Sequence, residues 1–291
     1  MAAREVLAPA YVYMVRCEGG QLYTGWTNDP AARLHAHKTG QGARATRAFG
    51  AESMAYLERC ADKSEALRRE AALKKLTKAE KEALCAAWAE NARPRLSMAT
   101  RDDAAEILEI YNWYVCNRIA TLQITPSTLP EYEAWVEDTL ARAPLILARD
   151  GSGHLLGYAC AHRYHPREAF AWDVESTIYC APDACSAGVG AALYGALLEL
   201  LKLQGYWNVY ALLADPNPAS ERFHEKFGFV CVGRNKHTAY KFGHWVGLST
   251  WWLPLRKGNS APEPVRLQLD PAEVEQVLDK YNHPAPSRRG K

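Results

Sequence analysis

The chain has 291 residues, enough for two domains of ordinary size, and its 48% hydrophobic against 23% charged residues is a globular balance, not a disordered one. A formal net charge of +2 implies no strongly charged partner for the whole, although the stretch through Arg95 holds 16 Lys/Arg against 11 Asp/Glu, a modest basic excess that suits a polyanion. Eight cysteines without a CxxC pair, no secretory signal and no apolar run near the ~18 residues of a membrane span point to reduced thiols in a cytoplasmic protein, with neither zinc site nor disulfide framework.

The front of the chain reads strand, glycine turn, strand, helix, strand, helix. Residues 11–17 and 22–27 form a hairpin around Gly19 and Gly20. Asn28-Asp29-Pro30 opens a first helix, 55–59 is a short strand, and Asp62 with Glu65 opens a helix over "ALRREAALKKL". An Ala-rich helix runs to "AENARPRL", where Pro94 marks a join. Beyond it "TRDDAAEILEIYNWYV" is helical, "APLILARD" and "LLGYACAHRY" are strands about the turn "DGSG", and "AWDVESTIYC" alternates. That alternation sets Trp172, Val174, Ser176, Ile178 and Cys180 on one face, and Asp173, Glu175, Thr177 and Tyr179 on the other. A loop with Gly188 and Gly190 runs into a long apolar helix. Then come the strand "YWNVYALLA", the helix "NPASERFHEKFGF" closed by Gly228, and a last strand, "HWVGLSTWWLPL". The tail is Pro-rich, with one short helix opened by Asp270-Pro271 and a basic end, "SRRGK".

Tyr13, Tyr23, Arg33, His37 and Glu70 form a first constellation. Arg33 and His37 lie four apart on one helix face, while the two tyrosines share a hairpin face only if the loop has an odd residue count. Glu70 falls among Ala66, Leu67 and Leu73, in an apolar stripe, where a carboxylate must be paired, neutralised or bound to metal; the competing reading is a plain Glu70–Lys74 surface pair. On "VYM" at 12–14, "YTG" at 23–25, "GWTNDPAARLHAHKTG" and "SEALRREAALKKL", residues 11–76 resemble the GIY-YIG endonuclease superfamily. The resemblance implies that Tyr13 and Tyr23 orient or deprotonate the attacking water, Arg33 neutralises the scissile phosphate, His37 assists proton transfer, and Glu70 holds one Mg²⁺ or Mn²⁺. Tyrosine, with a pKa near ~10, acts as a base only if Arg33 or the metal lowers it.

A second constellation surrounds "AGVG" at 187–190, a strand–glycine loop–helix junction that aims backbone N–H groups at phosphate. The third glycine and downstream acid of a dinucleotide fingerprint are missing. With "IYN" at 110–112, "REAF" at 167–170, "VESTIY" at 174–179, "AGVGAALY" at 187–194, "PNPASERFHEKFGF" at 216–229 and "YKFGHW" at 240–245, residues 96–255 resemble the GNAT acetyltransferases, specifically the phosphinothricin/methionine sulfoximine subgroup. That resemblance implies acetyl-CoA as donor, its pantetheine arm along Ile178, Tyr179 and Cys180, its pyrophosphate on the amides of Ser186, Ala187, Gly188, Val189, Gly190 and Ala191, and Asn217 on the cofactor arm. Substrate contacts are implied at His165, Pro166, Arg167, Ser176 and Thr177, with a homodimer. Glu175, on the polar face of its strand, is the carboxylate to take the amine's proton; the competing reading has it facing solvent. Asn217 before Pro218 is also a good helix N-cap. Gly247 stands where the subgroup commonly has Asp.

The expected architecture is therefore α/β, as two α+β domains: a small GIY-YIG hairpin-plus-helices domain over 1–93, a GNAT mixed-sheet domain over 96–258, and a tail over 259–291. The expected activity is acetyl transfer to the amine of a small amino-acid-like substrate, joined to a metal-dependent nuclease or DNA-binding module. The alternative is a DNA-processing or DNA-binding protein whose transferase half serves another acceptor or regulates.

Overall fold

The computed structural model describes residues 10–184, 188–258 and 260–283. The chain divides into two compact units at Arg93/Pro94, with Asp150–His154 and Ala181–Gly188 grouped with the first.

In the first unit, β1 (Ala10–Cys17) and β2 (Leu22–Thr27) make the expected hairpin. Helix α1 (Pro30–Lys38) starts where Asp29 accepts from the Ala32 amide, α2 (Arg44–Phe49) is an unforeseen short helix, and β3 (Ala51–Cys60) is twice the expected strand. Helix α3 (Lys63–Lys75) is capped by Asp62, and α4 (Lys78–Asn91) by a reciprocal Thr77–Glu80 capping box. The sheet order is β2-β1-β3, all antiparallel. Alternation along β1 splits the core. Val12 and Met14 pack with Ala66, Leu73 and Cys85 of α3 and α4, while Tyr13 and Val15 pack with Leu34 of α1.

The second unit begins with β4 (Arg95–Met98), α5 (Ala104–Asn117) and α6 (Leu129–Leu140). Strands β5 (Leu145–Arg149), β6 (Leu155–Arg163) and β7 (Asp173–Cys180) lead to α7 (Val189–Gln204). Then follow β8 (Asn208–Asp215), α8 (Pro218–Lys226), β9 (Val230–Lys241), β10 (His244–Pro254) and the tail helix α9 (Pro271–Asn282). Seven strands in the order β4-β5-β6-β7-β8-β10-β9 form one mixed sheet, antiparallel everywhere except β7–β8. Strands β4 and β9 and helix α6 are absent from the sequence-based reading. The tail helix lies against α7 and β4. Tyr281 of α9 fills the space left by Gly195, where a Cβ would come within 2.6 Å of its ring, and donates to Glu199 at 2.6 Å. Asn282 pairs with the backbone of Leu96 through both its Oδ1 and its Nδ2, standing in for a strand along the β4 edge.

No helix among the described residues is long and apolar enough to cross a membrane. The seven described cysteines are all free thiols.

Candidate functional site

In the first unit the hairpin register pairs Tyr13 with Gly25 and Val15 with Tyr23, so both tyrosines face α1, their rings 6.2 Å apart. Gly25 is required opposite Tyr13, because a Cβ there would meet the phenol oxygen at 2.7 Å. Tyr13 is fully buried and His37 is 1% exposed. Arg33 Nε donates to the Tyr13 oxygen at 3.0 Å, and His37 Nε2 lies 2.7 Å from the same oxygen. The far side of His37 meets Thr46 Oγ1 at 2.7 Å, and Thr46 donates its own hydrogen to the Ala43 carbonyl at 2.9 Å.

These contacts fix the hydrogen positions in turn. Thr46 spends its proton on Ala43 and so accepts from His37 Nδ1–H; Nε2 is then bare and accepts from Tyr13 O–H. The result is a directed chain, Arg33 to Tyr13 to His37 to Thr46 to the backbone.

Burial pushes the Tyr13 phenol up to about 12, despite the hydrogen bond and charge of Arg33, which pull the other way. Of the two conditions named for a tyrosine base, Arg33 or a metal, Arg33 alone does not suffice: desolvation outweighs the guanidinium. Burial, with the Arg33 charge second, holds His37 down at about 4, so the imidazole is neutral at pH 7. Thr46 escaped the sequence-based reading because α2 did, and so did Gly42, where a Cβ would strike the His37 ring.

Glu70 lies on α3 between buried Ala66 and Leu73, but Leu67 is exposed, so the apolar stripe is narrower than expected. Its side chain is 14% exposed and holds Lys74 at 2.5 Å, the pairing of the competing reading. Among the described residues no group of three or more His, Cys, Asp or Glu could hold a metal ion. One half-buried carboxylate still fits Mg²⁺, which keeps most of its waters and takes one or two carboxylates plus substrate phosphate. Glu70 is close enough to Tyr13 for its charge to be felt there.

The second unit carries a cavity of about 720 Å³ lined by residues 175–180 of β7, 212–214 of β8, the 118–122 loop and α8. Its origin is in the sheet. The parallel strands β7 and β8 pair at Asp173–Asn208, Val174–Val209 and Glu175–Tyr210 and then part, so the β7 edge from Ser176 to Cys180 faces the cavity unpaired by β8. Glu175 sits at the apex of this wedge, with His162 Nε2 3.6 Å from its carboxylate. Lys241, buried at the base of the adjoining loop, donates to the carbonyls of Arg118 and Thr121 at 2.8 Å each and so fixes one wall.

Thr177, Ile178, Tyr179, Cys180, Gly190 and Asn217 all line the cavity. Asn217 is also the α8 N-cap, accepting from the Ser220 amide. Gly188 (φ +74°) and Val189 lead into α7, where Ala191 is exposed. Ser186 and Ala187 lie outside the described residues. Ser176 is also among the lining residues, with its hydroxyl 2.7 Å from that of Tyr194 and donating to the Tyr210 carbonyl on the buried face, because it alternates with Glu175. His165, Pro166 and Arg167 do not line the cavity; a turn of 3-10 helix, Glu168–Phe170, follows them and His165 packs on Phe170. Gly247 has its own reason to be glycine here: a Cβ would meet the Asn235 carbonyl at 2.8 Å. Tyr114, whose hydroxyl donates to the Cys180 carbonyl at 2.8 Å, is a further wall residue that pattern reading missed.

Residues 96–248 match the acetyltransferase (GNAT) domain model, which spans more than half of the chain. The chain belongs to the GNAT acetyltransferases. Residues 9–83 match the GIY-YIG catalytic domain. The GNAT part is 36% identical over 173 residues to an L-methionine sulfoximine/L-methionine sulfone acetyltransferase of Pseudomonas aeruginosa, covering 57% of this chain and 100% of that protein. A phosphinothricin acetyltransferase structure from Sinorhizobium meliloti, in complex with acetyl-CoA, superposes with a TM-score of 0.57 at 30% identity, covering 58% of this chain and 93% of that one. The GIY-YIG part is 48% identical over 73 residues to a UPF0213 protein of Pseudomonas aeruginosa, covering 25% of this chain and 70% of that protein. This GNAT protein is thus an acyltransferase with a nuclease-type domain ahead of it.

Proposed function

We propose that this protein transfers the acetyl group of acetyl-CoA to the amine of a small amino-acid-like substrate. The observation that carries this reading is the wedge between β7 and β8 with Glu175 at its apex. A strand edge left unpaired inside a sheet is a row of N–H and C=O groups that must find partners, and the amides of a pantetheine arm supply them. The N-terminus of α7, reached through Gly188, suits the pyrophosphate. When bound, the cofactor supplies an activated thioester. Glu175 takes a proton from the substrate ammonium so that the neutral amine can attack, and Lys241 holds the adjoining loop in place through its carbonyls. Kinship with an L-methionine sulfoximine/L-methionine sulfone acetyltransferase supports an amino-acid-like acceptor.

The test is acetyl-CoA consumption against a panel of amines that includes both sulfur compounds and phosphinothricin. Glu175→Gln should keep acetyl-CoA binding and lower turnover by ~10²-fold or more at neutral pH. Turnover equal to wild type would remove Glu175 from the reaction.

A second activity is favoured by a separate observation, the Arg33–Tyr13–His37–Thr46 chain. It supports metal-dependent cleavage of DNA. In this reading Arg33 meets the phosphate and Tyr23 helps place the water. The water's proton passes to Tyr13 as the Tyr13 proton passes to His37, so no free tyrosinate has to form. Phosphate charge beside Arg33 offsets part of what depresses His37. Glu70 would hold Mg²⁺ or Mn²⁺, which supplies charge compensation. Nicking of branched DNA with and without metal tests it. The free thiols support a cytoplasmic location, and the exposed Val230, Val232 and Tyr240 of edge strand β9 support a homodimer through the second unit.

A further inference from the structure

Helix α2 has two faces. One carries buried Thr46 to His37; the other presents Arg44, Arg47 and Phe49, all exposed, with Phe49 51% accessible at the helix end. Neither arginine has an acidic partner among the described residues. Beside this helix a concave groove of about 350 Å³ runs from Tyr23 past Phe49 to Lys74 and Lys81. That is the small end of the ~300–1,000 Å³ range of ligand pockets, suited to a single unit of a polymer.

Two further features are unexplained by the proton chain. Thr24, which lines the groove, is 5% exposed and its hydroxyl has no hydrogen-bond partner. Lys81 reaches only the Lys74 carbonyl, at 3.5 Å, and has no acidic partner among the described residues. Lys74 is held by Glu70. An exposed aromatic, a lysine without an acidic partner among the described residues and an unsatisfied hydroxyl, collected beside Tyr23, form a recognition surface for something aromatic and anionic.

We propose that this groove seats the nucleotide of a DNA strand next to the phosphate at Arg33. Its base stacks on Phe49 and its phosphates meet Lys81 and, once Glu70 is engaged elsewhere, Lys74. The inference rests on the nucleic-acid reading of the first unit and deepens it by naming a subsite. It requires an unpaired nucleotide, because a base inside a duplex has no free face to offer an edge-mounted ring.

The full-length protein is titrated, in EDTA, with branched DNA carrying 2-aminopurine at its unpaired nucleotide. Wild type should quench the probe. Phe49→Ala should abolish quenching and weaken binding about tenfold, the size of one base–aromatic stack, while Phe49→Trp restores both. Lys81→Ala should flatten the log–log salt dependence by ~0.7. Melting curves of the variants should match wild type, since Phe49 is exposed and half-buried Lys81 makes only the 3.5 Å contact with the Lys74 carbonyl. Quenching unchanged in Phe49→Ala overturns the subsite. No DNA binding by wild type at tens of micromolar protein overturns the subsite and the nucleic-acid reading together. Phe49-dependent binding without any cleavage in Mg²⁺ or Mn²⁺ supports the subsite and removes only the nuclease activity.

Discussion

Tyr13, His37 and Thr46 show how one buried hydroxyl depends on a residue two contacts away. Thr46 does nothing to substrate, yet it leaves His37 Nε2 bare toward Tyr13. Thr46→Val removes that acceptor while keeping the shape, and leaves Nδ1–H unpaired at a cost of about 1–3 kcal/mol unless the ring changes tautomer. The expected result is a His37 tautomer shift in long-range ¹⁵N–¹H spectra and a fall in any cleavage rate of ~10²-fold, with Thr46→Ser behaving as wild type. An unchanged spectrum would exclude the positioning role. His37 also makes a pH prediction. Unfolded, it takes a proton near 6.5; folded, burial defers this to about 4. The unfolded state therefore binds more protons between these values, so this contribution is complete above pH 6.5 and lost as pH falls toward 4. Chemical denaturation at pH 7 and pH 4.5 should differ by about 2 kcal/mol more for wild type than for His37→Gln.

Helices and strands were legible in proportion to their burial. Strand β7 alternates because one face meets the core, and α7 is apolar because it is covered; both were readable. Strand β9 has almost no buried residue and hence no alternation to read. Helix α2 is six residues long, with an Ala at its N-cap and no side-chain cap, so nothing local announces it. Helix α6 was readable and overlooked, since Thr128 and Glu131 stand at capping-box spacing. Site residues followed the same logic: chemistry spaced four apart on α1 was visible, whereas partners supplied by loops and α2 were not. The role of the tail emerges only at this scale, because α9 docks by setting the Tyr281 ring into the gap at Gly195, beside buried Val277 and Leu278 and the Asn282–Leu96 pair. Gly195→Val should expel Tyr281 and lower stability by about 2 kcal/mol, or roughly 4–8 °C in Tm. Adding Tyr281→Ala should return part of that loss, and a strictly additive double mutant would show the two do not touch.

The two units share no strand: one sheet has three, the other seven. Each holds its own chemistry, the tyrosine–histidine chain in one and the β7–β8 wedge in the other. Tyr13→Phe, Tyr23→Phe and Glu70→Ala should each abolish metal-dependent cleavage and leave acetyl transfer within twofold, because separate cores tolerate separate damage (about twofold is the scatter expected of independent sites). Loss of acetyl transfer in any of the three would mean the activities are linked. The basic excess through Arg95, 16 Lys/Arg against 11 Asp/Glu, fits a division of labour in which only that part meets a polyanion.

The Asn282 side chain on Leu96 has a consequence for assembly. A seven-stranded sheet has two ends at which another copy could add, and an open end on each side permits filaments without limit. Here one end is already occupied from within, since the carboxamide of Asn282 takes both the N–H and the C=O of Leu96. Among the described residues, the β9 end alone of this sheet keeps its outer row of backbone groups, with Val230, Val232 and Tyr240 exposed. Growth through a single end terminates after one addition, so copies of this chain should stop at two. Sedimentation of wild type should show no species beyond the dimer, while Asn282→Ala, by unsealing the second end, should add a population of higher polymers.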